Sequence, residues 1–467
     1  MTTETATLST SRANTLLSEI PSLVQLAVPL VAGSASYTFY GLINTFFLGG
    51  LGEVPLAVAS LTVSISIIFF AALYGMLGPI GYLIGTAHGA GDSRKIAEVM
   101  QHGLLVAAGI GAIGTGLMAL TLFALPYMNQ PLEVRAVIAP YWLLSALALI
   151  PFCITFVYKQ FYDSTDRAWT GTILALIPVF LNVPLTWILV TGQFGLPAYG
   201  LEGAGWAALI GSCIGTAIMA GHFHFTATFK PFQAWSAWKK EAFLVQLREG
   251  LPMGIQYLLE GGAIAVAGVL IGWLGSSELA ANQIVFSVLG ILYIVPIGMS
   301  IAVGIRVSQA AGGGEKHRAR NIGMAGMLLA SGWSLVFTVL LIILGSRVAA
   351  LFVSEPDVIK AAALMFVVWG AAQVFDGIQS VGVGVLRGIF DNRYPTVVSL
   401  IAYWLISLPL SYAFGFWFNW GGAGIWAGFC CGLAIASALL MQRLWKMTST
   451  DGLASAHELQ SSSPYKP

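Results

Sequence analysis

Charge is scarce in this chain: only 41 of its 467 residues are Asp, Glu, Lys or Arg, 9% of the total. A water-soluble domain carries about 25%, so the shortage excludes a soluble enzyme and a disordered chain. The balance is also nearly neutral, 21 basic against 20 acidic residues. With no run of Lys and Arg long enough to form a stripe, nucleic acid is excluded as a partner. Cysteine is equally sparse. Cys153, Cys213, Cys430 and Cys431 all stand inside apolar runs, where they read as small buried hydrophobes rather than disulfide partners or metal ligands. His222 and His224 share the end of one apolar run with no other His or Cys near them in sequence, which reads as a pair of interfacial side chains and not a metal site. The first 19 residues are polar and rich in Ser and Thr, and the apolar run that follows is too long for the core of a signal peptide, so no cleaved leader is expected.

What the chain has instead is apolar length, with 57% hydrophobic residues. Apolar runs bounded by polar or Gly/Pro breaks fall at 20–50, 54–86, 97–126, 136–160, 168–191, 200–226, 243–273, 277–309, 321–346, 357–387, 394–418 and 421–445. A helix needs about 20 residues to cross a bilayer, and the twelve runs therefore predict an all-α polytopic membrane protein of twelve transmembrane helices. Pro29, Pro79, Pro178, Pro184, Pro252, Pro296 and Pro409 lie inside the runs and supply kink sites, because each removes a backbone donor. If the chain crosses at every run, 18 of the 21 basic residues fall on one side, Lys159 and Arg387 among them. Only Arg135, Arg347 and Lys360 fall on the other. Basic residues stay inside, so both termini are expected in the cytoplasm.

An internal repeat organises the runs. At an offset of 223, residues 29–91 match 252–314 with 14 identities in 63 positions, including Pro29/Pro252, Gly52/Gly275, Gly75/Gly298 and Gly91/Gly314. The loop HGAGDSRK at 88–95 is echoed by AGGGEKHR at 311–318. An offset spanning six helices implies two parallel six-helix lobes, a symmetry common among secondary transporters. The expected division is a tail at 1–19, a lobe at 20–226, a connector at 227–242, a lobe at 243–446 and a tail at 447–467. Gly-rich GAG at 89–91 and GGG at 312–314 lack the Lys-Ser/Thr ending of a phosphate-binding loop. Energy for transport would then come from an ion gradient or a separate partner.

Of the 20 acidic residues, only Glu260 and Asp376 fall near the middle of a span. A charge there costs about 2.5–3.5 kcal/mol on insertion scales, which makes both of them functional candidates. Paired carboxylates can take a proton, or when ionised can offer oxygen ligands to Na+ and attract an organic cation; they can equally hold two helices together. Tyr293, Asn282 and Gln283 lie on the helix after Glu260, where an aromatic face or an amide oxygen can line a cation path or simply pack. Asn44 is the polar residue of the corresponding region in the first half, two turns after Tyr37, the residue equivalent to Glu260. Asn182 is a further mid-span polar residue, suited to either a helix contact or a ligand.

These residues, with LAVPL, INTFFLGGLG, GTAHGAGD, LNVPLTWILVTGQFGLPAYGLEGAGWA at 181–207 and the segment 375–412, resemble the multidrug and toxic compound extrusion (MATE) family, in particular its NorM branch. The resemblance covers residues 19–446. It implies two lobes around a central cleft and export of cationic, lipophilic drugs in exchange for Na+ or H+, with no cofactor. It assigns Glu260 and Asp376 to coupling, as Na+ ligands if that is the ion, and places Tyr293 beside the cation. Gln283 and Ser60 become cleft-lining polar groups. Where the family usually has an aspartate in the first helix, this chain has Asn44, so coupling is expected in the second lobe. A monomer in the inner membrane of a bacterium, with the lipid bilayer and small-molecule drugs as its partners, completes the expectation. The alternatives are a lipid-linked saccharide flippase of related architecture, which calls for a basic cleft, and an intramembrane enzyme or receptor. An enzyme would need a nucleophile, metal set or His-carboxylate pair at mid-depth, and the spans show none.

Overall fold

Lipid offers no partner to backbone N–H and C=O groups, so a chain this apolar must pair them within helices. The computed structural model describes residues 16–128, 131–234 and 237–448, and among them every regular element is helical. Arg12, Lys466 and the side chain of Tyr37 lie outside the described residues. The spans are α1 (Ile20–Gly49), α2 (Glu53–Gly89), α3 (Ser93–Leu120), α4 (Leu132–Ser164), α5 (Ala168–Thr191), α6 (Gly200–Phe225), α7 (Lys240–Leu274), α8 (Ser276–Gly312), α9 (Lys316–Ala350), α10 (Pro356–Gly388), α11 (Arg393–Trp417) and α12 (Gly421–Thr448). Each coincides with one of the twelve apolar runs to within a few residues.

Proline acts more selectively than its positions predict. Pro29, Pro79, Pro178, Pro184, Pro252 and Pro296 all sit inside helices that continue past them. The interruptions fall elsewhere. In α4 the helix breaks between Leu147 and Leu149, where Pro151 has no N–H to give the Leu147 carbonyl. In α11, Pro409 cannot donate to Leu405, and wide π-helical turns flank it at Leu400–Ser407 and Ala413–Trp417.

The repeat is visible in the backbone. Gly52 and Gly275, 223 residues apart, enter α2 and α8 with φ of 108° and 122°; Gly91 and Gly314, at the same spacing, have φ of 71° and 75°. Such angles strain any residue with a Cβ, which explains why glycine recurs at these loop positions. The start of α3 is fixed by Asp92, whose carboxylate accepts the Lys95 N–H at 2.9 Å.

The helices form two compact units that do not divide at the connector. Ala32–Gly254 makes one; the described residues up to Val31 and from Ile255 onward make the other. Close packing at both boundaries shows why. A Cβ on Gly250 would meet the Met76 carbonyl, which binds the start of α7 to α2, while a Cβ on Gly298 would meet Val31, which binds the start of α1 to α8. Lys239 and Trp238 also return to α3. The Lys239 ammonium reaches Glu98 at 2.7 Å, its N–H donates to His102 Nε2 at 3.1 Å, and Trp238 stacks on the His102 ring at 5.3 Å. The hydrogen bond to Glu98 raises the Lys239 pKa above the usual lysine value.

In the unit that holds the later helices, small residues set the spacing. Gly424, Gly428 and Gly432 line one face of α12, and a Cβ at these positions would fall on Phe414, Ser411 and Ser407 of α11. Gly384 and Gly388 of α10 likewise abut the carbonyls of Ser300 and Gly304 on α8. Close backbone approach of this kind is how helices associate where burial from water is not the driving force.

Candidate functional site

Four helices of that unit bring polar side chains to one buried cluster. Glu260, on α7, is half-buried, and its Oε1 accepts two hydrogen bonds: from Gln256 Nε2, one turn earlier, at 2.9 Å and from Ser399 Oγ of α11 at 2.8 Å. Asp376, on α10, is buried and within electrostatic reach of Glu260. Among the described residues none donates a hydrogen bond to it. Tyr293 of α8 feels both carboxylates and meets Ser380 Oγ at 3.3 Å. Tyr403 of α11 feels them too, and donates to Gln379 Oε1 at 3.1 Å.

Helical spacing explains the cluster. Residues 256 and 260 share a face of α7, as do 399 and 403 on α11; on α10, Asp376, Gln379, Ser380 and Arg387 fall on one stripe. The stripe ends at Arg387, which is 6% exposed in the last turn of α10. Its Nη2 donates to Gln256 Oε1 at 3.0 Å and its Nη1 to Tyr257 Oη at 3.1 Å, with the guanidinium 5.0 Å from the Tyr257 ring centroid. Arg387 thus closes the run 357–387 as a buried side chain, tied through Gln256 to Glu260 on the neighbouring helix. The oxygens of Glu260, Asp376 and nearby hydroxyls make a hard donor set, suited to a proton or to an alkali cation.

The remaining candidates are dispersed. Asn282 is buried and accepts the Trp426 indole N–H at 3.0 Å, whereas Gln283 beside it is exposed. In the other unit, Asn44 reaches Tyr141 Oη at 3.5 Å and keeps a buried Oδ1 that no described residue pairs. Asn182 spends both ends of its amide on helix contacts, donating to the Ala207 carbonyl at 3.1 Å and accepting from Thr186 at 3.0 Å. Ser60 is exposed on α2.

The profile of the MatE family matches residues 29–188 and again 252–413, one match to each half of the repeat. The chain belongs to the MatE family. Among its relatives is the protein named "Probable multidrug resistance protein NorM" of Rhizobium meliloti (strain 1021), 28% identical over 430 residues, 90% of this chain and 92% of the relative. The protein of the same name in Xanthomonas axonopodis pv. citri (strain 306) is 30% identical over 442 residues, covering 91% and 93%. The fold matches the crystal structure of the Vibrio cholerae MATE transporter VcmN in its bent form, with a TM-score of 0.83 at 21% identity over 94% of this chain and 99% of that one. As a MatE family member, the chain is a multi-pass integral membrane transporter and not an enzyme.

The sequence reading of the MatE site missed Gln256, Tyr257, Gln379, Ser380, Arg387, Ser399 and Tyr403. A search for polar residues at i±3 and i±4 from each mid-span carboxylate would have found Gln256, Tyr257, Gln379 and Ser380; no local pattern points to Ser399, Tyr403 or Arg387.

Proposed function

We propose that this MatE protein exports small lipophilic cations from a bacterial cell in exchange for inward Na+ or H+; that drugs are among them accords with the name of its relatives, "Probable multidrug resistance protein NorM". The observation that carries the reading is that Glu260 and Asp376, from two helices, lie within electrostatic reach of each other in one polar cluster. With Arg387 counted, the cluster has a formal charge of −1, which favours a cation and opposes the pyrophosphate of a lipid-linked saccharide. In this reading the entering cation occupies the oxygens of Glu260 and Asp376, with the Tyr293 ring beside it. Within the unit of Glu260, Gln283 is a drug contact and Asn282 holds helices together; within the other unit, Ser60 and Asn44 are the drug contacts and Asn182 holds helices together. Binding of one cation and release of the other are coupled because both forms of the protein, open to one side of the membrane or to the other, bind the two ligands with different affinity. The protein acts as a monomer in the inner membrane with both termini in the cytoplasm, in keeping with the uneven placement of its basic residues. Ethidium efflux from cells expressing wild type, Glu260→Gln or Asp376→Asn tests the reading. Loss of efflux in both variants is expected; undiminished efflux in both would overturn it.

A further inference from the structure

Arg387 and Glu260 do not touch, yet one amide joins them. Arginine has donors and no acceptor, so Arg387 can only bond the oxygen end of Gln256, and the NH2 end is thereby turned to Glu260. Without the guanidinium the amide would be free to flip and present its oxygen to the carboxylate. Ser399 gives its own proton to the same Oε1. A carboxylate oxygen offers about two lone-pair sites, and both of those on Oε1 are taken, while no described residue donates to Oε2.

We propose that Arg387 is a positioning residue for cation coupling: by fixing the Gln256 amide it directs two donors onto Glu260 Oε1 and reserves Oε2 for the arriving cation. The inference rests on the reading of Glu260 as a coupling carboxylate. Arg387 acts through Gln256 and not directly on Asp376, which lies eleven residues away on α10, about 16 Å by helical rise. The arginine is itself held still. Tyr257 accepts one of its N–H groups and stacks its ring under the guanidinium, and Gly384 and Gly388 on either side pack against α8 carbonyls so closely that neither could carry a Cβ. A group whose own rotamer is locked in this way can hold a partner in register.

The test uses purified full-length protein in proteoliposomes, with ethidium efflux driven by an imposed Na+ gradient and, separately, by an imposed pH gradient. In the Na+ arm, Arg387→Met and Gln256→Leu are expected to raise the half-saturating Na+ activity by about tenfold, as Glu260 loses the bond that orients it; in the pH arm they are expected to lower the half-saturating proton activity, because a carboxylate that loses a donor takes a proton more readily. Ethidium affinity, read by fluorescence anisotropy without a gradient, should change less than about twofold, a split that loss of general integrity would not produce. Arg387→Lys, a point charge without the planar fork, should bring the half-saturating activity part of the way back to the wild-type value. Gln256→Leu keeps the arginine and its tyrosine contact, and carries the test if Arg387→Met does not fold. Wild-type cation half-saturation in folded Gln256→Leu, with Glu260→Gln unable to couple, would overturn the role of Arg387 alone. Coupled efflux by Glu260→Gln would instead overturn the reading beneath it.

Discussion

Asn282 and Trp426 close the centre of one compact unit: the indole N–H of α12 meets the amide oxygen of α8 at 3.0 Å, with the Trp369 ring 4.3 Å away, edge on. A buried indole needs an acceptor, and Asn282 is the one it has. Replacing Asn282 with Leu should cost about 0.6–1.7 kcal/mol, the range for hydrogen bonds between membrane helices. Gln283→Leu, at an exposed site, should change stability by less than about 0.5 kcal/mol. Reversible unfolding in detergent distinguishes the two.

Ser399 and Gln256 supply the two bonds on Glu260 Oε1, so removing one should weaken coupling without ending it. Ser399→Ala is expected to reduce cation-driven ethidium efflux several-fold, by about 1 kcal/mol in the coupling step, and Glu260→Gln to abolish it. Equal loss in both would place the serine's effect on folding.

Asn44 is a neutral amide and cannot titrate. Asn44→Ala should therefore shift the ethidium concentration for half-maximal transport while leaving the half-saturating cation activity where wild type has it. A change in cation dependence of the size seen for Glu260 variants would show that both halves of the repeat take part in coupling.

The face of α12 that carries Gly428 and Gly432 admits no side chain. Gly428→Leu should cost at least about 1–3 kcal/mol by overpacking against Ser411, seen as a lowered melting temperature of the purified protein. Gly268→Ala, inside α7 where a Cβ would find open space, is the control and should melt no lower than wild type.

The connector is tied to α3 by Glu98, which holds both Lys95 at 2.9 Å and Lys239 at 2.7 Å. Glu98→Gln should speed hydrogen exchange at residues 237–246 on the seconds-to-minutes scale. A base whose pKa is raised on folding contributes while it stays protonated. The Lys239 contact should then persist through neutral pH and fail only above the ordinary lysine range. A protection factor, the ratio of the intrinsic base-catalysed rate to the observed one, that already falls by pH 8 in wild type would contradict it.

Several features were decided by the residues alone. Twelve apolar runs are long enough to span a bilayer, and a chain that cannot pair its backbone with lipid has to form helices there. The repeat at 223 residues marked the glycines that enter α2 and α8 with positive φ, since such angles select glycine wherever they recur. Glu260 and Asp376 stood out because a carboxylate at mid-span is costly enough to be rare. Their partners did not. Ser, Gln and Tyr are ordinary in membrane helices, and Arg387 at the edge of its run looked like one more basic loop residue. Whether Asn282 or Gln283 points inward was equally hidden, because α8 is apolar around its whole circumference and neighbouring residues differ by 100° about its axis. Only packing settled these points. The close approach of α8 to α10 and of α11 to α12, set by glycines, fixed which faces meet, and so turned Gln256, Ser399 and Arg387 toward the carboxylate.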